Sequence, residues 1–120
     1  MRITLTKTIE FESAHWLPTF PEDHKCHRLH GHSFKADILV AGEVDPDKGY
    51  LIDFGEIKRL TTPIVDALDH RLLNDIKGLE NPTAERLAKW IYDQLADDLP
   101  ILQSVRVRET CTCSAEYAGA

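Results

Sequence analysis

The chain has 120 residues, with 14 basic against 20 acidic side chains and a formal charge of −6, a balance that argues against nucleic acid or an anionic membrane surface as the main partner. Chains of this length bury roughly 65% of the surface their unfolded form exposes, so one domain over residues 1–120 is expected to fold without help from disulfides or a structural metal. Three cysteines, no targeting segment and no apolar run long enough to span a bilayer point to a reducing, cytoplasmic setting.

Residues 2–15 alternate, with Ile3, Leu5, Ile9 and Phe11 on odd positions and Thr4, Thr6, Thr8, Glu10 and Glu12 on even ones, Lys7 being the exception. This pattern predicts a half-buried strand. After a connection of 14 residues, His30, His32, Phe34, Ala36, Ile38 and Val40 alternate against Ser33, Lys35 and Asp37 as a second strand. Gly42, Asp45-Pro46 and Gly49 mark a turn. Asp53 and Glu56 then have the spacing of a capping box, opening a helix whose apolar stripe is Phe54, Ile57, Thr61, Ile64, Val65 and Leu68. Pro63 inside that stripe predicts a kink or two short helices. Asn81-Pro82-Thr83 opens a second helix, capped by Asn81 or by Thr83, with the stripe Ala84, Leu87, Ala88, Ile91, Leu95 and Leu99 closed by Pro100. Residues 103–110 alternate as a third strand, and "SAEYAG" offers a short fourth. The order ββααββ predicts an α+β fold, two helices on one face of a four-stranded antiparallel sheet. Such a sheet has two free edges, for which pairing between subunits is one solution.

Four of the six histidines fall in "HKCHRLHGH". Parity puts His15 on the face of Phe11 and Ile9, and His30 and His32 on the face of Phe34 and Ile38, so all three imidazoles look toward the covered side of the sheet. Each alone reads as a hydrogen-bonded core histidine. Together they would cost roughly 2–7 kcal/mol apiece if buried without partners, and a shared Zn²⁺ would satisfy all three. Three nitrogen ligands leave a fourth position open for chemistry, whereas Cys26 as fourth ligand would close the site and make it structural. His24 and His27, among charged residues, are expected to be exposed.

Cys26 lies in a cation-rich segment, surroundings that favour a thiolate nucleophile or base, although an inert thiol fits equally well. Asp69-His70 reads as a carboxylate-tuned acid–base pair or as a histidine at a helix C-terminus. Glu109 ends the apolar row of Val105 and Val107 and either points to solvent or grips an amidine-like N–H edge. Cys111-Thr112-Cys113 lacks the second pair of ligands that a soft-metal site needs. Lys25, Arg28 and Lys35 form the one local basic patch that could meet an anionic substrate.

The motifs "FESAH", "CHRLHGHSF", "GYLIDFGEIK", "LDHRLLND", "NPTAERLAKW" and "VRVRET" resemble the 6-pyruvoyltetrahydropterin synthase family over nearly the whole chain, in the same order. Cys26 and His30 have three residues between them, as in the bacterial branch that makes a carboxy product; the gap is longer in animal pyruvoyl enzymes. The resemblance implies the tunnelling fold, with subunit sheets joined into a barrel, a homohexamer built from two trimers, and active sites between subunits. It implies Zn²⁺ on His15, His30 and His32, a proton-transfer set of Cys26, Asp69 and His70, and Glu109 as the anchor of a pterin ring. The implied reaction is a step of queuosine biosynthesis, the conversion of 7,8-dihydroneopterin triphosphate to 6-carboxytetrahydropterin with release of acetaldehyde and triphosphate. The pyruvoyl activity and a non-catalytic, zinc-stabilised module are the alternatives.

Overall fold

A computed structural model describes residues 1–119; Ala120, the last residue of the expected domain, lies outside the described residues. The fold is organised by two long strands, β1 (Arg2–His15) and β2 (His30–Glu43), paired antiparallel in unbroken register from Arg2 opposite Glu43 to His15 opposite His30. Helix α1 (Phe54–Leu68), the two-residue strand β3 (Arg71–Leu72), helix α2 (Ala84–Leu95), β4 (Leu102–Arg108) and β5 (Ala115–Tyr117) complete the chain. The sheet order is β3-β1-β2-β4-β5. Odd residues of β1 and even residues of β2 face the helices, as their alternation requires, and Ile9, Phe11, Phe34, Ile38, Ile57, Leu68, Leu87, Ile91 and Val107 form one buried core.

The α+β architecture is the expected one, with one strand more. Strand β3 pairs parallel to β1 through Ser13–Arg71 and Ala14–Leu72, so the sheet is mixed rather than purely antiparallel. Two residues are too few for a periodic signal. Side chains extend the ladder instead: Trp16 N–H donates to Asn74 Oδ1 at 3.0 Å while Asn74 Nδ2 donates to the Trp16 carbonyl at 2.7 Å, one side-chain amide standing in for a backbone partner.

Helix α1 runs through Pro63, which sits on the exposed side, so of the two expectations the split into two short helices does not occur. Its N-terminus is capped by Asp53, whose carboxylate accepts from Gly55 N–H at 2.8 Å; Glu56, the other half of the expected box, turns outward to Arg59. Thr83, not Asn81, caps α2 by accepting from Arg86 N–H at 3.2 Å. Strand β4 ends at Arg108, leaving Glu109 just beyond the last paired residue.

The outer face of the sheet holds a polar cluster. Asp37, expected beside exposed Lys35, is 6% exposed and accepts the Thr8 hydroxyl at 2.7 Å and an Arg108 N–H at 2.8 Å. These bonds tie β1, β2 and β4 together one residue before Glu109.

Phe34 is fully buried, stacked on Phe11 with ring centroids 5.3 Å apart and edge-on to His15 and His32 at 5.4 and 5.5 Å. Phe34→Ala is expected to remove about 3–5 kcal/mol of stability, the range for deleting a buried aromatic ring, read as a lower urea midpoint at unchanged slope.

Candidate functional site

The β1–β2 register sets the site. His15 lies directly opposite His30, and His32 is one pleat further along β2, so three imidazoles meet at the end of the hairpin on its covered face. Ring centroids are 4.5 Å apart for His15 and His30, 5.2 Å for His15 and His32, and 5.0 Å for His30 and His32. One ligand atom from each lies within 4.8 Å of the others.

Hydrogen bonds fix two of the tautomers. His15 Nδ1 is 2.9 Å from the Pro82 carbonyl and His30 Nδ1 is 2.6 Å from the Arg28 carbonyl. A carbonyl only accepts, so each Nδ1 carries the proton and each Nε2 keeps its lone pair. His15 Nε2 is buried with no hydrogen-bond partner. An orphaned imidazole nitrogen, pre-oriented by a backbone carbonyl and aimed at two more imidazoles, fits a divalent cation such as Zn²⁺. Desolvation, offset in part by the Pro82 bond and reinforced by the neighbouring imidazoles, lowers the His15 pKa to about 4. Burial, with His30 next to it, also lowers that of His32. Both shifts favour the neutral imidazole, the form that can bind a metal, at His15 and His32.

Glu109 stands at the mouth of this cluster, its Oε2 4.0 Å from His32 Nε2. Burial raises its pKa, and Glu85 adds to the effect while His30 opposes it. It lines a cavity of about 680 Å³ with Ala84, Glu85, Thr110 and Cys113, half-buried beside the imidazoles rather than simply exposed at the strand end.

Asp69 and His70 occupy the β1 edge. Asp69 Oδ1 accepts Glu12 N–H at 2.8 Å and Oδ2 accepts His70 Nδ1–H at 2.9 Å. The Glu12 and His70 hydrogen bonds, in that order, lower the Asp69 pKa. His70 takes the left-handed φ of +57° and gives its N–H to the Glu12 carbonyl, a backbone state uncommon for a residue bearing a Cβ. The pair is therefore anchored to both polar groups of one β1 residue. His70 is highly exposed and shares a cavity of about 590 Å³ with Glu12, His32, Ser33 and Arg71.

Cys26 is on a short helical turn (Lys25–His27) in the connection between β1 and β2. Its N–H donates to His24 Nδ1 at 3.0 Å and its carbonyl accepts Leu17 N–H at 2.9 Å. One chain thus brings together His15, His30, His32 and Glu109, and separately Asp69 and His70. His24 and His27, expected to be exposed, are half-buried; His27 Nδ1 bonds the Phe20 carbonyl at 3.0 Å and its ring packs on Trp16. Ring stacking among "WLPTFPEDHKCH" is a signal that periodicity alone does not carry.

Residues 4–120 match the family model described as 6-pyruvoyl tetrahydropterin synthase. A Synechocystis protein named 6-carboxy-5,6,7,8-tetrahydropterin synthase is 44% identical, covering 92% of this chain and 89% of its own. A Pyrococcus furiosus protein named dihydroneopterin monophosphate aldolase is 35% identical, covering 83% and 81%. The solved 6-pyruvoyl tetrahydropterin synthase of Caenorhabditis elegans superposes with a TM-score of 0.91 at 25% identity, covering 100% of this chain and 97% of that one.

The His15 shift gives a pH dependence to the metal-free protein. A histidine whose pKa falls from 6.5 to about 4 on folding contributes stability that is complete above pH 6.5 and is lost as pH drops toward 4, because the unfolded chain takes up the proton first. Urea unfolding of the metal-free protein should therefore weaken between pH 7 and pH 4, His15 accounting for about 3 kcal/mol. His15→Phe should flatten that part of the curve.

Proposed function

The chain belongs to the 6-pyruvoyl tetrahydropterin synthase family, and from that premise we propose that it converts 7,8-dihydroneopterin triphosphate to 6-carboxytetrahydropterin, releasing acetaldehyde and triphosphate, as a step of queuosine biosynthesis. It is a pterin-processing enzyme. The observation that carries the reading is the convergence of three imidazoles, one with an orphaned buried Nε2, beside a half-buried carboxylate.

In this reading His15, His30 and His32 hold Zn²⁺. Bound there, the ion supplies Lewis acidity toward hydroxyl oxygens of the substrate side chain. Glu109 anchors the pterin: burial raises the pKa of this carboxylate, and the paired N–H donors of the ring edge would favour its charged form. Cys26 takes a proton from the side chain. His70 moves protons at a second position, its Nδ1 held by Asp69 so that Nε2 is the nitrogen left for proton transfer.

In this reading the active site is completed between subunits. Strand β1 pairs with β3 only at Ser13 and Ala14 on its outer side, which leaves most of that edge for another copy; a homohexamer of two trimers is the proposed assembly. Cys26, Cys111 and Cys113 are free thiols, in keeping with a cytoplasmic setting, and among the described residues no helix is long and apolar enough to cross a membrane.

The spacing of Cys26 and His30 and the Synechocystis relative favour the carboxy product over the pyruvoyl one. The Pyrococcus relative brings in a retro-aldol alternative, which would release a two-carbon aldehyde still carrying its phosphate. Incubating the zinc-loaded protein with 7,8-dihydroneopterin triphosphate should yield stoichiometric acetaldehyde. A pyruvoyl product without acetaldehyde, or a phosphorylated two-carbon aldehyde, would each reassign the activity. Cys26→Ala should keep zinc and lose at least 100-fold in kcat, whereas loss of zinc and of folding would make the site a closed structural one.

A further inference from the structure

We propose that His24 is a positioning residue for the Cys26 thiol, an inference that rests on Cys26 serving in the reaction proposed above. The 16–29 connection contains no long helix or strand to hold a side chain steady, yet both backbone polar groups of Cys26 are fixed. Its carbonyl accepts Leu17 N–H at 2.9 Å, two residues beyond the ligand His15, and so ties the thiol's backbone to the end of β1. Its N–H is held by the His24 imidazole, Nδ1 accepting at 3.0 Å. That bond caps the short turn Lys25–His27 from an extended backbone at His24 (φ −77°, ψ 139°), the role that asparagine or aspartate fills at other turn starts.

His24 is itself held from two sides. Its N–H donates to the Pro21 carbonyl at 2.8 Å, its carbonyl accepts His27 N–H at 3.0 Å, and its ring lies against Phe20 with centroids 4.5 Å apart. Phe20 is half-exposed and its carbonyl is the partner of His27 Nδ1. The loop is thus knotted around His24 by one aromatic contact, two backbone bonds and the bond from Cys26 N–H to its ring, with Cys26 as the residue the imidazole directly constrains. A ring accepting at Nδ1 carries its proton on Nε2, so His24 works as a neutral acceptor and donates nothing to the thiol.

The test measures Cys26 apart from turnover. In the zinc-loaded full chain, iodoacetamide alkylation is followed peptide by peptide, with exposed Cys111 and Cys113 as internal standards. His24→Ala should speed Cys26 alkylation several-fold relative to the standards, lower kcat roughly 10–100-fold, and leave KM and zinc content within about two-fold of the parent. His24→Asn, which keeps an acceptor at the same place in the turn, should restore both rates to within about three-fold. Unchanged alkylation and kcat in His24→Ala would overturn the proposal, as would His24→Asn being as impaired as His24→Ala, because the imidazole would then be acting by its own chemistry. A parent protein that releases no acetaldehyde but still shows the alkylation contrast would support the positioning while removing the proposed reaction.

Discussion

The register of one hairpin is the constraint on which the site depends. Placing His15 opposite His30 commits His32 to the same face one pleat away and buries His15 completely. A one-residue slip would turn His30 and His32 to the open face and the Phe34, Ala36, Ile38 and Val40 row with them. The hydrophobic core therefore enforces the metal-site geometry: the apolar residues of β2 cannot be buried without delivering two imidazoles to His15. What remains is a polar debt, a buried Nε2 without a partner, and a cation shared by three rings is the economical way to satisfy it.

A division of labour follows along the hairpin. The covered end holds the three imidazoles, two of them with lowered pKa values, and the carboxylate whose pKa burial raises. The groups proposed to move protons are held differently. Asp69 and His70 are clamped to the backbone of Glu12, and Cys26 is tethered to Leu17 and His24. Each is thus linked to β1, but from a segment outside the core. The Thr8–Asp37–Arg108 cluster ties three strands together on the opposite face of the sheet where Glu109 leaves it, so Glu109 inherits its position from all three.

Much of this is legible in the residues. Alternation in 2–15 and 30–40 assigns the faces, and with them the histidine trio, and alternation in 103–110 puts Glu109 at the end of the Val105 and Val107 row, because parity is a local property of an extended chain. The α+β layering follows from two amphipathic stripes. What escapes are non-local and side-chain-to-backbone bonds. Strand β3 is two residues long and owes its place to Asn74 and His70 as much as to pairing. Asp37 alternates outward as expected but is buried by Arg108, 71 residues away in the chain. Glu56 has the spacing of a capping box yet prefers Arg59, since a second partner within reach competes for the same carboxylate. Cys26 reads as a lone thiol in sequence, and only the fold reveals how its loop is held.

X-ray absorption at the zinc edge of the zinc-loaded protein, without substrate, tests the central claim most directly. The account predicts a shell of nitrogen and oxygen scatterers at about 2.0–2.1 Å, with multiple-scattering features of three imidazoles and no sulfur. A sulfur scatterer at about 2.3 Å, or fewer than three imidazoles, would contradict it.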